Sequence, residues 1–230
     1  MLRFFVDPHW FYGIASAFEF LGLGIAALIS LYSYRCYYRS CESYEGQTTK
    51  HFAYAFFAIM LSFFFKILAN ISVLYEKVEQ KVLGPVVFTI TSVKQVTVIS
   101  ALSTALHYFF FLAGLLILFL IIYKEKNVHT MLLLFFFVLM TTFFSSASYF
   151  VFYLTASVIL GLIFSRYWQN FKTKRSRNGL LLALSFLFLL IAHVMFIFVF
   201  VNVQLYPVAE LVQLFAFILL LITFMSVVRK

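Results

Sequence analysis

The chain has 230 residues, of which 64% are hydrophobic and only 11% charged, and its formal net charge is +9. A soluble globular domain is roughly half apolar and about a quarter charged, so this composition excludes that class and predicts an integral membrane protein. The aromatic residues lie in long apolar stretches and not among clustered basic residues, so the positive charge does not indicate nucleic-acid binding.

Seven apolar segments are long enough to cross a bilayer as helices, and together they predict one all-α transmembrane bundle over residues 1–230. In chain order the predicted spans are 11–34, 51–75, 98–123, 128–146, 149–167, 179–203 and 208–228. Spans 4 and 5 are divided at the polar run from Ser145 to Ser148. Without that division, residues 128–167 would make one helix of about 60 Å, twice the thickness of the bilayer core.

The basic residues predict the orientation of the bundle. Twelve of them lie in loops 35–50, 124–127 and 166–178 and at the C-terminal end, against four in the loops on the other side. Cytoplasmic loops carry the excess of Lys and Arg. We therefore expect the N-terminus outside and the C-terminus in the cytoplasm, most simply in the cell membrane.

The one long outer loop, residues 76–97, contains a stretch in which Phe88, Ile90, Val96 and Val98 alternate with polar or small residues. Alternation with a period of two is typical of a strand. The loop is predicted to form either a short hairpin that covers the outer end of the bundle as a lid, or an outward extension of helix 3.

Polar residues within the spans fall at a similar depth in the outer half, whereas the inner halves are almost purely apolar. A polar residue in hydrocarbon is costly and usually functional. Six of them are predicted to border an outward-facing ligand pocket: Glu19, Lys66, Asn70, His107, His193 and Gln213. The expected ligand is small, amphipathic and partly anionic, because Lys66 supplies a positive charge and the neighbouring phenylalanines supply an apolar surface.

Helical spacing supports this prediction, because Ser62, Lys66 and Asn70 are four residues apart and share one face of span 2. Glu19 and Lys66 are expected to face each other at equal depth on adjacent antiparallel helices. A purely structural hydrogen-bonded network explains the same residues and stays open as an alternative. Glu210 lies so near the predicted start of span 7 that we expect it to be solvated.

Catalytic and cofactor motifs are missing from the sequence. There is no His-Glu-x-x-His or Gly-x-Ser-x-Gly motif and no paired acids suited to a metal. We expect neither enzymatic activity nor a bound metal or cofactor.

Seven spans, an outside N-terminus and a long loop between spans 2 and 3 resemble the topology of microbial rhodopsins. That family attaches retinal to a lysine in the middle of its last span. Residues 213–222 contain no lysine here, which excludes a retinal Schiff base on span 7. The resemblance therefore implies an opsin-like topology and no retinal.

Three functions fit these observations. The first is a receptor-like protein that binds a small ligand from outside and passes any signal to a separate cytoplasmic or membrane protein. The second is a transporter or channel, which the apolar inner halves disfavour. The third is a structural or accessory subunit of a membrane complex. The lipid bilayer is the expected surrounding in each case.

Overall fold

The computed structural model describes the backbone of residues 3–4, 10–39, 44–73, 77–83, 86–92, 97–125, 127–145, 148–202 and 204–228. Its side chains are described over 16–38, 49–71, 98–125, 127–145, 148–202 and 204–226. This part of the chain contains seven helices that are long and apolar enough to cross a membrane. They are α1 (Trp10–Arg39), α2 (Tyr44–Val73), α3 (Thr97–Tyr123), α4 (Val128–Ser145), α5 (Tyr149–Lys174), α6 (Arg177–Phe198) and α7 (Leu205–Val228). The protein is an integral membrane protein built from these helices.

The seven predicted spans are confirmed as helices, with differences at their ends. α1 continues to Arg39, α5 continues to Lys174, and α2 begins at Tyr44. These extensions are rich in polar and basic residues that a helix accommodates but hydrocarbon does not, so a prediction from apolar length stops short of them. At the other end of the bundle, α6 ends at Phe198 and α7 begins at Leu205, each earlier than predicted.

The division between the fourth and fifth spans is also confirmed. α4 ends at Ser145 and α5 begins at Tyr149. The amide of Ser148 still donates to the carbonyl of Phe144 at 3.1 Å, so the chain turns within a few residues. Ser146 and Ala147 lie outside the described residues.

A β-hairpin connects α2 to α3. β2 (Lys77–Leu83) pairs antiparallel with β3 (Val86–Ser92), and β1 (Arg3–Phe4) pairs parallel with β3. The predicted hairpin is confirmed, and the outward extension of helix 3 is wrong, because α3 begins only at Thr97. Residues 74–76, 84–85 and 93–96 lie outside the described residues, and a lid function for the hairpin stays a prediction. We call this end of the bundle the hairpin end.

Six of the helices form a closed ring in the order α1, α2, α3, α5, α6, α7, and α7 packs against α1. α4 lies outside the ring and packs on α3 and α5. Within α4 only Val138 and Ser145 are buried and Leu134 packs partly against the core, whereas most of the other apolar side chains are exposed on the outer surface of the bundle. The interior of the ring is therefore lined by six helices and not by seven.

α2 and α3 pack at very short range, and Gly114 makes this possible. A Cβ atom at this position would lie 2.8 Å from the carbonyl oxygen of Ala55 and 2.7 Å from Cγ1 of Ile59. Small residues allow helices in membranes to approach closely and gain packing energy. This contact fixes α2, and with it the face that carries Lys66, against α3.

Candidate functional site

Each of the six ring helices contributes a buried or half-buried polar side chain to the interior of the bundle toward its hairpin end. These side chains are Glu19 from α1, Lys66 from α2, His107 from α3, Tyr153 from α5, His193 from α6 and Glu210 from α7. The ring arrangement explains the convergence, because one inward-facing position per helix at a similar depth brings the side chains together.

Lys66 joins two carboxylates from two other helices. Its Nζ atom lies 3.2 Å from Oε1 of Glu19 and donates a hydrogen bond to Oε1 of Glu210. Asn70, one turn further along α2, donates from Nδ2 to both oxygens of Glu19 at 2.9 and 2.7 Å. We call these four residues, Glu19, Lys66, Asn70 and Glu210, the charge cluster. The predicted pairing of Glu19 with Lys66 is confirmed.

The expectation that Glu210 is solvated is wrong. Its exposed fraction is 2%, compared with 0% for Glu19 and 9% for Lys66. α7 begins at Leu205 and not at 208, so Glu210 lies about 8 Å along the helix at 1.5 Å per residue. The long stem of Lys66 then spans the remaining distance.

The sequence did contain a signal for Glu210. Glu210, Gln213 and Phe217 share one face of α7, and all three are buried. The prediction relied instead on the shallow depth of Glu210 below the predicted start of span 7.

Aromatic side chains surround the ammonium group of Lys66. Its Nζ atom lies 5.6 Å from the ring centre of Phe196 and 5.9 Å from that of Tyr206. Phe196 also stacks on Tyr153, with ring centres 4.9 Å apart. A cation near the faces of aromatic rings is stabilised by their quadrupoles, so these two rings suit the ammonium group of Lys66. Tyr153 and Tyr206 are residues that the prediction missed.

The two predicted histidines lie beside the charge cluster and are held by backbone carbonyls. Nδ1 of His193 donates to the carbonyl of Leu189 at 2.9 Å. Nδ1 of His107 lies 3.1 Å from the carbonyl oxygen of Ser62 and 2.7 Å from its Oγ. His193 stacks on Phe111 with ring centres 5.0 Å apart. Both imidazoles are thus fixed in orientation inside an aromatic core.

Of the six predicted site residues, five are placed by these contacts: Glu19, Lys66 and Asn70 in the charge cluster, and His107 and His193 beside it. The sixth, Gln213, is buried on α7 one turn beyond Glu210. Whether these residues bind a ligand stays a prediction.

The charges in the cluster do not balance. Two carboxylates face one ammonium group, so the fully ionised cluster carries one excess negative charge. The expected anionic ligand rested on treating Lys66 as a free cation. Both carboxylates contact Lys66, so its ammonium group is already paired, and the charge of any ligand stays a prediction.

In the half of the bundle away from the hairpin end, hydroxyl groups donate hydrogen bonds to backbone carbonyls. Ser33, Ser185 and Thr223 each donate to the carbonyl four residues earlier in the same helix, and Ser30 donates to the carbonyl of Ala53. Their surroundings are apolar and buried, with Ile29, Leu118, Ile163, Phe186 and Leu220 among the core residues. This half of the described bundle therefore offers water few hydrogen-bonding partners.

Two cavities are described at the edges of the bundle, away from the charge cluster. One of about 420 Å³ lies between α4 and α5 and is lined by residues such as Phe137, Met140 and Val151. The other, of about 240 Å³, lies between α1 and α2 beside Ser30 and Tyr54. Both are mainly apolar. Among the described residues, no group of three or more His, Cys, Asp or Glu side chains is placed to hold a metal ion.

Comparisons with known proteins add no family to this geometry. No protein-family model, no curated protein and no solved structure matches the chain. Function has to be argued from the residues of the charge cluster and their surroundings.

Proposed function

We propose that this membrane protein is receptor-like and that its charge cluster binds a small amphipathic cation at the hairpin end. The observation that carries the proposal is the excess negative charge of Glu19 and Glu210 around one Lys66, beside the rings of Phe196 and Tyr206. Carboxylates and aromatic faces are the groups that recognise ammonium ligands. The proposal includes no catalytic step.

Binding would act through competition with Lys66. All three charged residues are buried, so the described arrangement is a closed one in which Lys66 occupies the place of an ammonium ligand. An incoming ammonium group that pairs with Glu210 would release α7 from Lys66 on α2. A ligand changes a conformational equilibrium only through contacts that differ between the two states, and this exchange supplies such a difference.

The opposite half of the bundle favours a receptor over a transporter. Its hydroxyl groups are bonded to carbonyls, and the packed side chains around them are apolar. A transport path needs polar groups on both sides of the bound substrate. With the N-terminus outside, as the basic residues predict, the ligand would arrive from outside the cell, and a separate partner protein would receive the signal at the cytoplasmic end.

A structural or accessory subunit is the second candidate. The outward-facing apolar side chains of α4 favour it, because they form a surface on which another membrane protein could pack. Lipid covers such a surface equally well, so this candidate lacks the chemical specificity of the charge cluster.

A thermal-shift experiment tests the ligand class. The protein in lipid nanodiscs is heated with hexylammonium or, as the probe of opposite charge, hexanoate. We expect hexylammonium to raise the Tm, because a ligand that binds only the folded state stabilises it by about 2.7 kcal/mol at 100 times its Kd. The effect should disappear in Glu210→Gln and persist in the matched variant Glu125→Gln, which lies between α3 and α4. A shift with hexanoate alone, or an unchanged hexylammonium shift in Glu210→Gln, would contradict the proposal.

A further inference from the structure

Charge balance in the interior of the ring requires one more positive charge than the described side chains supply. Glu19 and Glu210 face the single ammonium of Lys66. The other titratable groups that interact electrostatically with this cluster are phenols and imidazoles, namely Tyr108, Tyr153, Tyr206, His107 and His193. They come from α3, α5, α6 and α7, and none of them is a permanent cation. A buried net charge is costly in a medium of low dielectric constant.

A metal ion is a poor candidate for the missing charge. The ammonium of Lys66 already contacts both carboxylates, which is the position that a metal would occupy. Hard cations such as calcium also take six or more oxygen ligands. A proton needs no cavity and no further ligands, so it fits a cluster whose side chains are buried and in mutual contact.

The two carboxylates differ in the way they are held. Glu19 accepts hydrogen bonds from Asn70 at both oxygens, and its Oε1 also lies 3.2 Å from Lys66. N–H groups donated to both oxygens stabilise the ionised form of a carboxyl group. Glu210 accepts from Lys66 through Oε1. Among the described contacts Glu19 has the larger set of donors to its ionised form, and we place the proton on Oε2 of Glu210, the oxygen other than the one that accepts from Lys66.

We propose that the charge cluster is a proton-binding site, in which Glu210 holds one proton at Oε2 while Glu19 and Lys66 remain an ion pair. Release of the proton to water breaks the O–H bond and leaves the electron pair on Glu210, so the cluster gains one negative charge. The proton is needed only while both carboxylates are present, because a single carboxylate would already balance the charge of Lys66. This proton belongs to the ligand-free state, and an ammonium ligand that pairs with the Glu210 carboxylate would take its place; the proton site itself does not require that ligand.

Release of the proton would change the side-chain contact that connects α7 to α2. Among the described residues, no Cα atom of α2 lies within 8 Å of a Cα atom of α7, so the two helices meet across the interior through long side chains. Among these side-chain contacts, the one between Lys66 and Glu210 is an ion pair. A change in the charge of Glu210 therefore alters the ion pair between α2 and α7.

Infrared difference spectroscopy tests the proposal without any ligand. A protonated carboxyl group has a C=O stretching band that a carboxylate lacks, and the band shifts in D₂O. We expect the protein in lipid to show such a band for a buried group. Glu210→Asp should shift its frequency, whereas Glu19→Asp should leave it in place, because only the residue that holds the proton carries the band.

Two Gln variants test the charge balance. Glu210→Gln and Glu19→Gln should each abolish the band, the second because Glu210 then ionises to pair with Lys66. Glu125→Gln, between α3 and α4, is the matched control and should leave the band unchanged. Absence of the band in the unaltered protein, its survival in Glu210→Gln, or a shift in Glu19→Asp would each overturn the proposal. The Asp variants keep the test valid where a Gln variant does not fold. Loss of hexylammonium binding alone would leave this result intact, so the two proposals fail separately.

Discussion

Lys66 on α2 contacts Glu210 on α7 across the interior of the bundle, although the two residues are 144 positions apart in sequence. Two aromatic contacts accompany this link between the same helices: Phe63 with Phe217 at 5.2 Å, and Phe52 with Phe224 at 5.8 Å. The charged contact lies nearest to the hairpin end, and the aromatic contacts follow toward the other end.

Removal of Lys66 should be the most damaging change in the charge cluster. Lys66→Met leaves Glu19 and Glu210 buried without a cation, and removing one partner of a buried ion pair costs about 3–5 kcal/mol. Glu210→Gln should cost less than about 1 kcal/mol, because the amide still accepts from Lys66 and hydrogen bonds in membranes average roughly 0.6 kcal/mol. Reversible unfolding in mixed detergent micelles measures both free energies.

The same series contains its own control. Lys66→Met combined with Glu19→Gln and Glu210→Gln removes all three charges, and the triple variant should be more stable than Lys66→Met alone. Equal destabilisation by Lys66→Met and Glu210→Gln would show that the charge imbalance does not govern stability.

Gly114 should tolerate no side chain. Gly114→Ala places Cβ 2.8 Å from the backbone oxygen of Ala55, so α2 and α3 have to separate. Overpacking of this kind costs about 1–3 kcal/mol. Gly24→Ala and Gly161→Ala are matched controls, because nothing lies within 4 Å of a Cβ at either position. These should be neutral or stabilising by up to about 1 kcal/mol, as expected for glycine in a helix interior. Melting temperatures in one detergent compare the three variants, and an equal loss in all of them would contradict the close contact.

The predicted orientation, with the N-terminus outside, rests on the distribution of Lys and Arg and is tested by chemical labelling. In a background without Cys36 and Cys41, Val82→Cys in β2 should react with a membrane-impermeant maleimide added to intact cells. Arg175→Cys, between α5 and α6, should react only after the membrane is opened. The reverse pattern would place the hairpin end in the cytoplasm.

Liposomes test the apolar half of the bundle. Reconstituted protein should conduct neither protons nor hexylammonium, because Ser33, Ser185 and Thr223 donate to carbonyls of their own helices and offer no chain of partners to water. A pH-sensitive dye inside the vesicles measures proton entry, and gramicidin provides the positive control. Proton flux that Lys66→Met abolishes would favour transport over a receptor-like role.

The amino-acid sequence is enough to predict the membrane class, the seven helices and five of the side chains that lie near the hairpin end. Apolar length specifies a spanning helix because every backbone polar group must be satisfied inside the bilayer. Polar residues stand out against hydrocarbon, so Glu19, Lys66, Asn70, His107 and His193 could be selected from sequence, and each of them is buried or half-buried in the bundle.

The composition and the charge of the cluster depend on how the helices pack, which apolar length does not predict. The position of Glu210 depends on where α7 begins and on the reach of Lys66, and neither follows from apolar length. The exclusion of α4 from the ring depends on which helices pack together, since a helix that is apolar on all faces gives no sequence signal for the side that meets protein or lipid. The pairing of one lysine with two carboxylates is a contact among three helices, and residues so far apart in sequence meet only when the ring closes.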